Sequence, residues 1–167
     1  MPVRHGVWRG MPSSAAFSDD GLHRFWLTRR WANGAGVCFV MLNPSRATES
    51  GTDNTVSFCV GRARDWGYGQ VAVVNLFTFM SPHPDRLAGH PGRDDAGGDA
   101  TILQFARQAD LRIAAWGGDR RFRDRGARVA AMLAGAGLDL HCLGRTADGA
   151  PRHPRAMPRN VRPQPWP

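Results

Sequence analysis

Two asparagines, one histidine and a set of arginines are the residues of this chain whose types and positions suit chemistry. Asn43 stands where a buried apolar run, Gly36-Val37-Cys38-Phe39-Val40-Met41-Leu42, breaks off into Pro44-Ser45. A side-chain amide at the end of a strand can orient a water or hold a polar ligand atom. Taken alone, the segment reads first as an Asn-Pro turn. Asn75 lies inside a second apolar run, Val73-Val74-Asn75-Leu76-Phe77. A stranded amide needs partners, because an unsatisfied buried amide is costly. A nucleobase edge offers the matching donor and acceptor, and neighbouring backbone offers the same. His153 lies between Arg152 and Arg155 in Pro151-Arg152-His153-Pro154-Arg155. Flanking cations favour neutral imidazole, which can donate one N–H to a developing anion. The same five residues also describe a solvated basic tail. Trp116-Gly117-Gly118 allows close backbone approach to a ligand, or forms a tight turn beside a core Trp. Phe58, Trp66, Tyr68 and Phe77 are candidates to stack on a base or to fill the core.

These residues fall where elements end. A continuous apolar run bounded by turn residues reads as a strand buried on both faces. Pro44 cannot continue a central strand, since it gives the ladder no N–H. Three later apolar runs also stop abruptly, at Asn75, at Trp116-Gly117 and at Leu143-Gly144. If all four strands are parallel, their carboxyl ends converge on one rim, the edge where open α/β sheets bind ligands. A further strand at residues 23–31 is expected to run antiparallel, joined to the first through Asn33-Gly34-Ala35-Gly36. Helices are expected at about 54–66, capped by Asp53 or Thr52, at 100–109 and at 120–136. The last opens with Arg120, Arg121, Arg123 and Arg125. The helix dipole disfavours that charge unless an anion lies nearby.

The reading is therefore one α/β domain with three layers, a four-stranded parallel central sheet and an N-terminal antiparallel strand. Residues 1–22 form an arm, 23–144 the core, and 145–167 an Arg- and Pro-rich tail carrying His153-Pro154. A chain of 167 residues suits one domain. No apolar stretch approaches the roughly 18 residues of a membrane span, and no secretory signal is visible. Cys38, Cys59 and Cys142 lack metal-ligand spacing and read as buried thiols in a reducing cytoplasm. The formal net charge is +8, and all 22 basic residues are arginine. Arginine suits phosphate and base edges, so nucleic acid is the expected partner. No obligate protein partner is evident. His83, His90, Asp94 and Asp95 match no standard ligand spacing, so no metal is expected. The absence of P-loop, dinucleotide and nucleophile-elbow motifs suggests no cofactor.

The ordered set LNPS, WGYG, VVNLF, AAWGG and LGRTADGAPRHP resembles a family of small bacterial and phage proteins of unknown function. The resemblance spans about residues 25–158. More distantly, the layout resembles the uracil-DNA glycosylase superfamily. Leu42-Asn43-Pro44 is similar to the Gly-x-Asn-Pro motif of its mismatch-specific branch, with Met41 where that branch has Gly. His153-Pro154-Arg155 is similar to its His-Pro-Ser motif, with Arg155 in place of Ser.

This second resemblance implies a glycosylase-like fold. It also implies hydrolysis of an N-glycosidic bond on a base extruded from DNA. Asn43 would position the attacking water, and His153 would stabilise the departing base. Asn75 would read the base edge, with Phe58, Tyr68, Trp116 and Gly117 around the base. Pro44, Ser45, Arg46, Arg152 and Arg155 would contact phosphates. Two rival classes stay open: a non-catalytic nucleic-acid or nucleotide-binding module, and an enzyme of free nucleosides or nucleotides.

Overall fold

The computed structural model describes residues 1–89 and 96–167. Among these residues eight strands follow one another: β1 (Val3–Trp8), β2 (Met11–Phe17), β3 (Arg24–Arg30), β4 (Gly36–Met41), β5 (Gln70–Asn75), β6 (Leu111–Ala114), β7 (Leu140–Cys142) and β8 (Gln164–Trp166). The same described residues form four α-helices: α1 (Asn54–Asp65), α2 (Pro84–Ala88), α3 (Ala96–Gln108) and α4 (Arg123–Gly135). All the strands join one mixed sheet in the order β1-β2-β3-β5-β4-β6-β7-β8.

This corrects the expected fold. The sheet is not four parallel strands with a single antiparallel addition of the uracil-DNA glycosylase kind. It has eight strands, and four of its seven pairings are antiparallel. Only β5-β4, β4-β6 and β6-β7 pair in parallel. The expected N-terminal arm supplies two of the extra strands. Arg9 and Gly10 both take positive φ, 48° and 77°, which suits a two-residue turn matched to strand twist. β1 and β2 then pair from Val3↔Ala16 to Trp8↔Met11. The expected Arg- and Pro-rich tail supplies the third, since β8 closes the opposite edge against β7. Pro165 is tolerated there because an edge strand has one unpaired side.

Helices cover both faces. Along β4, Val37, Phe39 and Met41 join one apolar cluster with Val56, Cys59, Val60 and Ala63 of α1. Cys38 and Val40 join the other, with Ile102 and Phe105 of α3 and Val129 and Leu133 of α4. Strand alternation thus puts successive β4 side chains into two cores. The three cysteines are buried and free. Burial pushes the Cys38 thiol up to about 12, so it is inert at neutral pH. Among the described residues no helix is long and apolar enough to cross a membrane.

Candidate functional site

A cleft of about 600 Å³ opens at the carboxyl ends of β4, β5 and β6. Its walls come from the turn after β4, the start of α1, the turn after β6 and the tail around His153, with Arg24 and Asn75 also lining it. Asp53 fixes one wall. Its carboxylate accepts the Val56 N–H of α1 at 2.9 Å and the Ala47 N–H at 3.1 Å. One residue thus caps the helix and holds the preceding loop.

Asn43 is committed in part. Its Nδ2 donates to the carbonyls of Pro44, Phe79 and Ser81, at 3.2, 3.2 and 2.9 Å. It clips the segment after β5 to the turn after β4, which leaves Oδ1 as the atom able to orient a water. Asn75 differs. It ends β5, is 3% exposed, and its Oδ1 is buried without a hydrogen-bond partner. A buried carbonyl left this way is expensive, and a ligand donor is one remedy.

His153 borders the same cleft. Its Nδ1 accepts the Arg155 backbone N–H at 3.1 Å, so the neutral ring carries its proton on Nε2. Burial, then the neighbouring Arg155 charge, lower its pKa to about 4, with Asp53 acting weakly the other way. The ring is therefore a neutral donor at physiological pH. Gly117 helps bring it there: at φ +87°, its N–H donates to the Pro151 carbonyl at 2.9 Å.

Pro44, Ser45, Arg46, Arg152 and Arg155 all line the cleft. Arg46, Arg152 and Arg155 are exposed, as suits contacts to a solvated ligand. Trp116 borders it too, but its indole packs edge-on against Trp166 at 5.4 Å. A side chain at Gly126 of α4 would strike the Trp116 indole, with a Cβ 2.6 Å from Nε1. Phe58 and Tyr68 do not line the cleft. Phe58 packs against the α1 core beneath the Arg62 guanidinium at 5.4 Å. Tyr68 packs against the same core, and its carbonyl accepts the Trp31 indole N–H. It lies just before β5 begins, at the strand end opposite Asn75.

Sequence reasoning missed Arg24 and saw Asp53 only as a cap. Strict alternation along residues 23–31 would put Phe25, Leu27 and Arg29 on one face of β3 and Arg24 on the other. The register shift between Ala16 and Phe17, where Phe17 pairs with Arg24, breaks that alternation. No sequence signal marks the shift.

The family model described as a protein of unknown function, DUF1643, matches residues 24–155. The chain belongs to the DUF1643 family. The matched segment runs from Arg24 to Arg155, both of them cleft residues. It leaves β1, β2 and β8 of this DUF1643 protein outside. No curated protein and no solved structure matches the DUF1643 chain, so neither comparison supports the glycosylase resemblance. Among the described residues no cluster of three or more His, Cys, Asp or Glu could hold a metal. His90, Asp94 and Asp95 lie outside those residues.

Proposed function

We propose that this DUF1643 protein hydrolyses the N-glycosidic bond of a base extruded from DNA into the cleft. The observation that carries the reading is Asn75, whose Oδ1 is buried at the cleft without a partner. An amide presents one acceptor and one donor side, the pattern that reads a base edge. His153 supplies a neutral Nε2–H for the charge that develops on the base. The C1′–N bond breaks with its electrons on the base, and a water held by Asn43 Oδ1 adds to the sugar carbon. The water's proton passes through solvent to the departed base. Ser45, Arg46, Arg152 and Arg155 hold the phosphates on either side, with Pro44 shaping the turn beside them.

The test is base release from single- and double-stranded oligonucleotides under excess protein, followed by alkaline cleavage. The substrates carry uracil, hypoxanthine, mismatched and modified bases. Release that His153→Ala lowers and Asn75→Ala deprives of base selection supports the reading. No release from any substrate refutes it.

A second reading, a non-catalytic nucleic-acid-binding module, is favoured by Asn43. Three backbone carbonyls hold its amide nitrogen, a purely structural task. Salt-sensitive binding without release would select this module.

A further inference from the structure

The cleft contains a cation that base release does not use. Arg24 opens β3, is 2% exposed and lines the cleft. Its Nη1 donates to the Ala47 carbonyl at 2.8 Å. Its Nε is buried with no hydrogen-bond partner. Among the described residues no carboxylate forms an ion pair with it. Burial lowers its pKa only to about 10, with the nearby Asp53 carboxylate acting the other way, so it remains charged at neutral pH. A buried guanidinium with no carboxylate in direct contact is costly, and a planar fork with an unpartnered donor matches an oxyanion.

The rest of the cleft agrees. Four arginines line it against two carboxylates, Asp53 and Asp119. Both carboxylates are already engaged. Asp53 holds backbone N–H groups of Val56, Ala47 and Arg46, and Asp119 pairs with Arg121 at 2.7 Å. The balance favours a ligand with more than one negative charge. The Ser45 and Thr55 side chains, each with a hydroxyl, belong to the same lining.

The geometry points to an anion subsite in which Arg24 binds a phosphate monoester, carried either by a free nucleotide or by the end of a nucleic-acid strand. An internal nucleotide of DNA carries only a diester, so this subsite goes beyond the base-release reading. It is tested by binding, so failure of base release leaves it standing.

The experiment is calorimetric titration of the full chain at fixed ionic strength. The probes are uridine, uridine 5′-monophosphate, inorganic phosphate, and one oligonucleotide with a 5′-hydroxyl or a 5′-phosphate. The monophosphate is expected to bind at least about tenfold more tightly than the nucleoside, the increment of one charge-assisted contact. Inorganic phosphate should compete with it. An equal gain on the oligonucleotide would identify strand ends as ligands, and a gain confined to the mononucleotide would identify free nucleotides. Arg24→Gln should erase the increment, and Arg24→Lys should restore part of it.

Equal affinities for nucleoside and monophosphate in the unaltered protein would overturn the proposal. So would an increment that survives in folded Arg24→Gln. If both Arg24 variants fail to fold, Arg46→Gln/Arg152→Gln decides. A persisting increment there supports the buried subsite, and a lost one moves the phosphate to the exposed arginines and overturns it.

Discussion

Arg24 and Arg29 open and nearly close the same strand, and both are buried, at 2% and 0% exposure. Their surroundings differ. Arg29 donates to the carbonyls of Thr48 and Gly51, at 2.9 and 2.5 Å, and to the Ser13 hydroxyl. Its guanidinium also lies over the Trp8 ring at 5.2 Å. It ties the 48–51 loop to the N-terminal hairpin. Arg24 has one such bond, to Ala47, and lines the cleft; the Nε of each is buried without a partner, so the two differ in their Nη groups. The same contrast separates the asparagines: Asn43 is clipped to three carbonyls, while the Asn75 oxygen has no partner. Buried polar atoms without partners also occur away from the cleft, the Nε atoms of Arg29 and Arg62 among them. What sets Arg24 and Asn75 apart is that both line the cleft, where a bound group could supply the missing partner.

Four substitutions sharpen or break this contrast. The largest effect is expected at Arg29. Arg29→Met leaves several buried carbonyls without donors and should cost about 3 kcal/mol or more in denaturant unfolding. A loss under about 1 kcal/mol would deny Arg29 its structural role. Asn43→Ala should follow, at about 2 kcal/mol, because the clip between the two turns is lost. Any fall in turnover for that variant must therefore be measured well below its melting temperature.

His153 should be visible in acid. Its folded pKa of about 4 lies below the ordinary value of 6.5. Between those values the unfolded chain binds the proton and the folded chain does not. Stability should then fall as pH drops through that window, by about 1.5 kcal/mol after allowing for partial exposure. His153→Gln should flatten that part of the stability–pH curve, and an unchanged slope would contradict the assigned burial.

The smallest effect on stability is expected at Asn75. Removing an amide whose buried oxygen has no partner by Asn75→Ala should change stability by no more than about 0.5 kcal/mol, or raise it. A large loss would mean that the amide has a structural partner after all.

The sequence showed the elements governed by local rules. The helix expected at 54–66 is Asn54–Asp65, with Asp53 as its cap, because both the apolar stripe and the capping residue are local signals. The crowded arginines at the start of the expected 120–136 helix were also informative. A 3-10 turn, Arg120–Phe122, precedes α4 there. The anions that the dipole argument called for are carboxylates of the protein itself: Arg121 pairs with Asp119 and Asp85, and Arg123 with Asp148.

What was illegible depends on distant partners. In β1 only Val3, Val7 and Trp8 are large and apolar, among Arg4, His5 and Gly6, so no period-2 pattern announces the hairpin. Its turn is Arg9-Gly10 rather than the usual Asn-Gly signal. β8 contains a proline, which gives a ladder no N–H, so the Pro-rich tail carries no strand signal. The apolar ends at Asn43, Asn75 and Trp116 were visible as residues. Their different fates were not, because whether an amide is satisfied depends on carbonyls more than 30 positions away. Phe58 and Tyr68 show the converse: aromatics that read as base platforms serve the core.

The most direct test of this contrast is a side-chain amide NMR titration with single-stranded oligonucleotides, following Asn75 with Asn43 as the internal reference. The account expects the Asn75 amide resonances to shift progressively with ligand while those of Asn43, tied to three carbonyls, move little. Saturating binding that leaves Asn75 unmoved, or shifts that favour Asn43, would contradict the assignment of this cleft as the base-reading site.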